Sequence, residues 1–190
     1  MSSVATVPTN DGKPQARVPA VQTVTEQRQY LTFLLGGEMF SLSIVCVKEI
    51  IWYSNLTEVP MMPECIRGVI NLRGAVVPVM DLSVRFGKPS TPVSKNTCIV
   101  IVEVSMSAQG ESQNMGIVVD AVQAVLEIPA ADIEPAPTFG TKIRSDFIEG
   151  IAKLNGKFVI LLNVNQVMSG EEISAMGRAV AAAPVTTGQG

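Results

Sequence analysis

Thiols, carboxylates and one arginine-bearing turn are the residues of this chain whose types could do chemistry. The 190 residues include three cysteines and no histidine. Without imidazole there is no Ser-His-Asp or Cys-His nucleophile and no His-containing metal site. Cys46, Cys65 and Cys98 stand too far apart for a ready-made zinc cluster, and their apolar settings read as buried free thiols in a reducing compartment. Asp81, Asp120, Asp132, Asp146 and Glu149 include no pair in the setting of a general acid and base. No glycine-rich phosphate loop leads from a strand into a helix. Neither an enzyme nor a cofactor is expected.

What remains is a chemistry of contact. Glu49 lies in an apolar stretch with Val47 and Ile50, where a buried acid is costly without a partner. Either it faces water on an alternating strand, or it meets Arg73 in a charge-assisted, bidentate contact that fixes a turn. Arg73 belongs to Asn71-Leu72-Arg73-Gly74, which reads as a hairpin turn with Gly74 in the strained backbone position. There the arginine is a solvated surface residue or a functional one. The matching turn further on is Leu154-Asn155-Gly156, so the turn does not itself demand arginine, and the residue matching Glu49 is Ala124. The two charges are absent together. Ile44, Val45, Cys46 and Val47 carry more apolar surface than a short turn needs; they are core, or some line a groove for a partner's helix. Trp52 and Tyr53 face the same choice between core and interface.

The elements that position these residues come in two copies. Residues 65–82 and 147–164 share Ile, Gly, Leu, Gly and Val in the same places, and residues 40–50 answer to 115–125, each followed by a proline-bearing loop. One small module is used twice. In the first unit, β-rich runs over 30–35 and 38–42 flank Gly36-Gly37, a helical turn is open over 43–48, and a strand follows over 48–53. A loop over 55–63 is stiffened by Pro60 and Pro63, a hairpin spans 67–72 and 75–80, and a short helix starts at Asp81 and stops at Gly87. In the second unit, strands are predicted over 97–104, 115–119 and 122–128, with a polar loop over 105–114. A proline-rich loop comes next, then a hairpin over 147–154 and 157–162 turned at Asn155-Gly156, and a helix from 163 to 168, with a second helical segment to about 178. The expected fold is all-β, two five-stranded barrels with short helices, one near the C-terminus. The expected division is a disordered arm over 1–27, a first barrel over 28–87, a second over 88–172 with the C-terminal helix, and a helix end and tail over 173–190.

Composition narrows the partners. Hydrophobic residues make up 47% of the chain, yet no apolar run reaches the roughly 18–20 residues of a membrane span. The N-terminus lacks the apolar core of a signal peptide. Net charge is −3 with scattered Lys and Arg, so no nucleic-acid footprint is visible. A cytoplasmic protein without direct membrane insertion or nucleic-acid binding is expected.

Taken together, the run 30–33, the Gly36-Gly37 turn, Val47-Lys48-Glu49-Ile50, Ile66-Arg67-Gly68-Val69-Ile70-Asn71-Leu72-Arg73-Gly74, Val77-Pro78-Val79-Met80-Asp81-Leu82 and Gly116-Ile117-Val118-Val119-Asp120 closely resemble the CheW family of bacterial chemotaxis coupling proteins, over about residues 29–172. The resemblance implies SH3-like barrels and a non-catalytic adaptor bridging the cytoplasmic tip of a methyl-accepting chemoreceptor and the regulatory domain of the histidine kinase CheA, recruited to receptor arrays and able to join ring assemblies. The receptor's helical hairpin tip would lie between the barrels. Carried over by position, Glu49 and Arg73 match the acidic and basic coupling residues, Ile44 and Val47 match apolar groove positions, and Asn71 and Gly68 match the turn and its approach. The competing readings are the coupling module of a CheV-like regulator, an adaptor of a non-flagellar chemosensory system, and a fragment of the kinase, which a Met1 start with its own arm disfavours.

Overall fold

Three hairpins are set by backbone positions that few residues tolerate. Positive φ at both central residues matches the right-handed twist of two antiparallel strands. Gly36 and Gly37 (φ 59° and 81°), Arg73 and Gly74 (52° and 88°), and Asn155 and Gly156 (51° and 78°) all adopt it. The structure is a computed structural model and describes residues 27–105, 110–138, 140 and 142–169. The expected N-terminal arm up to residue 26, the tail and the second helical segment lie outside the described residues.

The strands are β1 Gln27–Leu35, β2 Glu38–Ser43, β3 Val47–Trp52, β4 Ile66–Leu72, β5 Ala75–Asp81, β6 Cys98–Ser105, β7 Ser112–Val119, β8 Ala121–Pro129, β9 Ile133–Glu134, β10 Ile148–Leu154 and β11 Lys157–Leu162, with helices α1 Leu82–Arg85 and α2 Val164–Val167. Two departures from the sequence expectation are local. Residues 112–114 extend β7 because they pair with 103–105 of β6, and the proline-rich loop contains β9, two residues paired to β10.

The larger departure is in connectivity. One sheet has the order β8-β1-β2-β11-β10-β9 and the other β3-β6-β7-β5-β4. Each therefore combines the first hairpin of one repeat with the later strands of the other, and a boundary at 87/88 does not divide the pairing. The exchange is sealed by two equivalent parallel contacts, Leu161 with Ser41 and Val79 with Gly116. Its physical cause lies in the connections after β2 and β7. A 3-10 turn over Ile44–Cys46 carries the chain from the first sheet into the second. At the equivalent place Asp120 carries it back, its carboxylate accepting from the Gly36 amide (2.7 Å) and its own amide donating to the Leu34 carbonyl (3.0 Å).

Exchange dictates where the core lies. The five-stranded sheet encloses Ile70, Val77, Val79, Ile99, Ile101 and Val118, and the six-stranded sheet encloses Tyr30, Ile128, Ala152, Val159 and Leu161. The largest cluster lies between them, drawing Leu31, Phe33, Phe40 and Leu42 from one sheet and Met80, Val100, Val102 and Ile117 from the other. Strand β6 serves both sides, which is why it is apolar at every position from 98 to 102 instead of alternating. Each such side chain contributes about 1.5–3 kcal/mol on full burial. The aromatic rings of Phe40, Phe86 and Phe147 continue this core at centroid distances of 5.8 and 5.9 Å. Asp81 caps α1 by accepting from the Ser83 amide, and Asn163 caps α2 by accepting from the Gln166 amide. Arg85 of α1 donates to the carbonyls of Val167, the last residue of α2, and of Ser169 just beyond it, tying the two helices together.

Candidate functional site

Strands β3 and β4 are the two edges of the five-stranded sheet, and no backbone register joins them. The chain after β3 does touch β4, through a bridge in which Thr57 and Val69 exchange amide–carbonyl bonds of 3.0 and 2.8 Å. Side chains close the rest of the seam. At one end Arg73 donates from Nη1 to Glu49 Oε1 (2.9 Å) and from Nη2 to Oε2 (3.0 Å). The sequence left open whether Glu49 faces water or meets Arg73; the bidentate contact is what forms. The arginine side chain remains 78% exposed and that of Glu49 24%. Asn71 completes the turn by accepting from the Gly74 amide at 2.9 Å.

At the other end a second arginine is almost enclosed. Arg67 pairs with Asp81, whose side chain is fully buried, through Nε (2.9 Å) and Nη2 (2.8 Å). Asp81 also accepts from the Ser90 hydroxyl and from the amide and hydroxyl of Thr91. Burial disfavours its charge, but these donors and the guanidinium outweigh it and hold the carboxyl below the usual aspartate range. Arg67 in turn bonds the Thr91 carbonyl and the Ser90 hydroxyl. It reaches the Tyr53 hydroxyl with Nη1 at 3.4 Å and stacks over the Tyr53 ring at 5.7 Å. The sequence marked Asp81 as a helix cap and missed this network; the signal available was Arg67 facing Asp81 across the 67–80 hairpin while the matching positions, Glu149 and Asn163, lack that pairing.

The other expected site residues divide. Gly68 is buried, with φ +153°, and a Cβ placed there would stand 2.5 Å from the Thr57 carbonyl oxygen. Its counterpart Gly150 would put a Cβ 2.5 Å from Ile133 Cγ2 and 2.8 Å from the Glu134 carbonyl oxygen, so both glycines admit a neighbouring backbone. Ile44 and Val47 are half-buried and pack on the inter-barrel core. The outward positions are Val45, 85% exposed, and on β3 Ile50 and Trp52, with Trp52 70% exposed. A bulge at Lys48 interrupts the alternation of β3: beyond it Ile51 packs on the core of the five-stranded sheet, Val47 before it packs on the inter-barrel core, and Ile50 and Trp52 point outward. Ile50, Trp52, Cys98, Ala121 and Val122 line a groove of about 510 Å³ between β3 and β6 of one barrel and β8 of the other. A second groove of about 490 Å³ holds Val45, Cys46, Glu103 and Glu149. In it Glu103 is paired to Lys48 at 2.7 Å and accepts from Ser112, contacts that hold its carboxyl low. The Cys46 thiol donates to the Ser43 carbonyl, and burial pushes it up to about 11. Among the described residues no cluster of three or more Cys, Asp or Glu could hold a metal, and no helix is long and apolar enough to cross a membrane.

Interleaved barrels present an exposed charge clasp beside two grooves of mixed polar and apolar lining, the surfaces of a protein-binding module. Residues 29–172 match the CheW-like domain, and the chain belongs to that family. It is 32% identical over 159 residues to the chemotaxis protein CheW of Klebsiella aerogenes, covering 84% of this chain and 92% of that one. It is 34% identical over 149 residues to the CheW of Rhizobium meliloti, covering 78% and 92%. Among solved structures it is similar to the scaffolding protein TtCheW from Thermoanaerobacter tengcongensis, with a TM-score of 0.68 and 37% identity over 77% of this chain and 90% of the other.

Proposed function

We propose that this protein is a non-catalytic coupling adaptor of chemotaxis, holding the cytoplasmic tip of a methyl-accepting chemoreceptor and the regulatory domain of the kinase CheA in one array, in the cytoplasm at the membrane-bound receptors. Glu49 and Arg73 are the contact pair, with Asn71 and Gly68 shaping the turn and Ile44 and Val47 supporting the strand from beneath. A coupler shifts a kinase equilibrium only as far as it prefers one state of its partners, so its work lies in differential contacts.

The observation that carries this reading is the energetics of Arg73. A non-glycine residue at φ 52° is strained by about 1–2 kcal/mol, and asparagine fills the equivalent turn at Asn155. An exposed ion pair returns only about 0.2–1 kcal/mol. Stability therefore does not account for arginine at this turn, whereas a partner that meets a fixed guanidinium–carboxylate pair does. The test is binding of the wild type, Glu49→Lys and Arg73→Glu to a receptor-tip fragment and to the kinase regulatory domain. Loss of at least tenfold in receptor affinity, about 1.4 kcal/mol, is expected for either variant. Full affinity in both variants removes the pair from the contact, and no binding by the wild type at tens of micromolar overturns the adaptor reading for these partners.

A further inference from the structure

We propose that Arg67 is a positioning residue for β3, the strand that presents Glu49. This rests on the reading of Glu49 as a contact residue, and its geometry is independent of it. Strand β3 has an antiparallel ladder to β6 on one side, from Val47–Val102 to Trp52–Cys98, broken only by a bulge at Lys48. On the other side it has no ladder, because β3 and β4 are the sheet's two edges. Besides the Thr57–Val69 bridge beyond its end, β3 is held to β4 there by two arginines, Arg73 on Glu49 and Arg67 on Tyr53. The two differ in kind. Arg73 is exposed and free to exchange its partner, while Arg67 is anchored by a buried carboxylate and two further acceptors. One end of the seam is a lock and the other a latch.

This asymmetry has a direct functional meaning. A guanidinium that a partner can engage is useful only if the strand behind Glu49 stays in place when the latch is borrowed. The ring of Tyr53, stacked at 5.7 Å beneath Arg67, supplies that constraint immediately beyond the end of β3. The Tyr53 amide also donates to the Thr97 carbonyl at 3.0 Å, so Tyr53 links the lock to the β6 side as well. In the other barrel the positions matching Arg67, Arg73 and Glu49 are Glu149, Asn155 and Ala124, so lock and latch occur together in one barrel only.

The variant of choice is Arg67→Lys, which keeps a cation for Asp81 but loses the planar group that spans Asp81, Thr91 and Tyr53 at once. Hydrogen exchange on the free full-length protein is read by peptide, with the fluorescence of Trp52, the single tryptophan, as a second local probe. Exchange across Ile50, Ile51 and Trp52 should rise at least tenfold and Trp52 emission should shift, while exchange in β10 and β11 stays at the wild-type level. Receptor-tip affinity should fall at least threefold. A uniform rise across both barrels makes Arg67 a general stability residue and overturns the proposal, as does unchanged exchange in β3. If Arg67→Lys does not fold, Tyr53→Leu removes the same contact without touching Asp81 and carries the same expectations. Should Glu49→Lys bind the receptor tip normally while Arg67→Lys still loosens β3, the contact reading fails and the positioning role stands.

Discussion

Replacing Arg73 with asparagine separates folding from contact. The guanidinium donates twice to Glu49, but 78% of the arginine side chain faces water, where such a pair contributes about 0.2–1 kcal/mol. Against that loss stands relief of backbone strain, since asparagine tolerates the left-handed region that costs other residues about 1–2 kcal/mol. The net change in unfolding free energy should run from about zero to a gain of about 2 kcal/mol. Urea unfolding followed by Trp52 fluorescence measures it. Titration calorimetry with a receptor-tip fragment measures the other half, where at least a tenfold loss is expected. A stability loss beyond about 2 kcal/mol with unchanged affinity would refute the reasoning, because the pair would then be a structural clamp worth more than an exposed pair can be.

Gly68→Ala should cost about 3 kcal/mol, since the new methyl meets the Thr57 carbonyl oxygen at 2.5 Å and φ is +153°; thermal unfolding checks it, and a loss under 1 kcal/mol would mean the loop at Thr57 moves freely. Asp81 has its carboxyl held low in the folded state, so its stabilising contribution is complete above the unfolded aspartate value of about 3.9 and is lost as pH falls through the folded value. Asp81→Asn should therefore lower stability by about 3–5 kcal/mol at pH 7 and flatten the acid limb of the stability profile, read by urea unfolding from pH 7 to pH 2. Cys46, with its thiol raised to about 11, should react with maleimide far more slowly at pH 7.5 than glutathione does, and quickly once urea unfolds the chain. Rapid labelling in the native state would show that the Ser43 contact and the burial around it are not maintained.

Local structure was legible wherever a backbone requirement leaves few residue choices. Gly36-Gly37, Arg73-Gly74 and Asn155-Gly156 announced their turns, and Asp81 and Asn163 announced their helices, because these act within four residues of themselves. Strand partners were not legible. Period-two alternation tells a strand which side to bury and is silent on which strand lies beside it, so the exchange of hairpins between repeats stayed hidden until Phe40 was seen beside Ile160. The same limit explains the site. Joint absence of charge at Ala124 and Asn155 pointed correctly to contact between Glu49 and Arg73, whereas Ile44 and Val47 looked like groove lining and pack inward, leaving Val45, Ile50 and Trp52 outside. Tyr53 and Arg67 are 14 residues apart and meet only because the seam brings them together.

With its largest apolar cluster between the barrels, the molecule has no elastic joint at its middle. Tilting one barrel against the other would open that packed interior to water, which the burial of its side chains opposes. Softness in any lattice built from such pieces must then reside in the contacts between neighbours. A chain cut in the linker at residues 88–97 would leave two halves, each lacking strands that its sheets need. Neither half alone could serve as a smaller, working coupler.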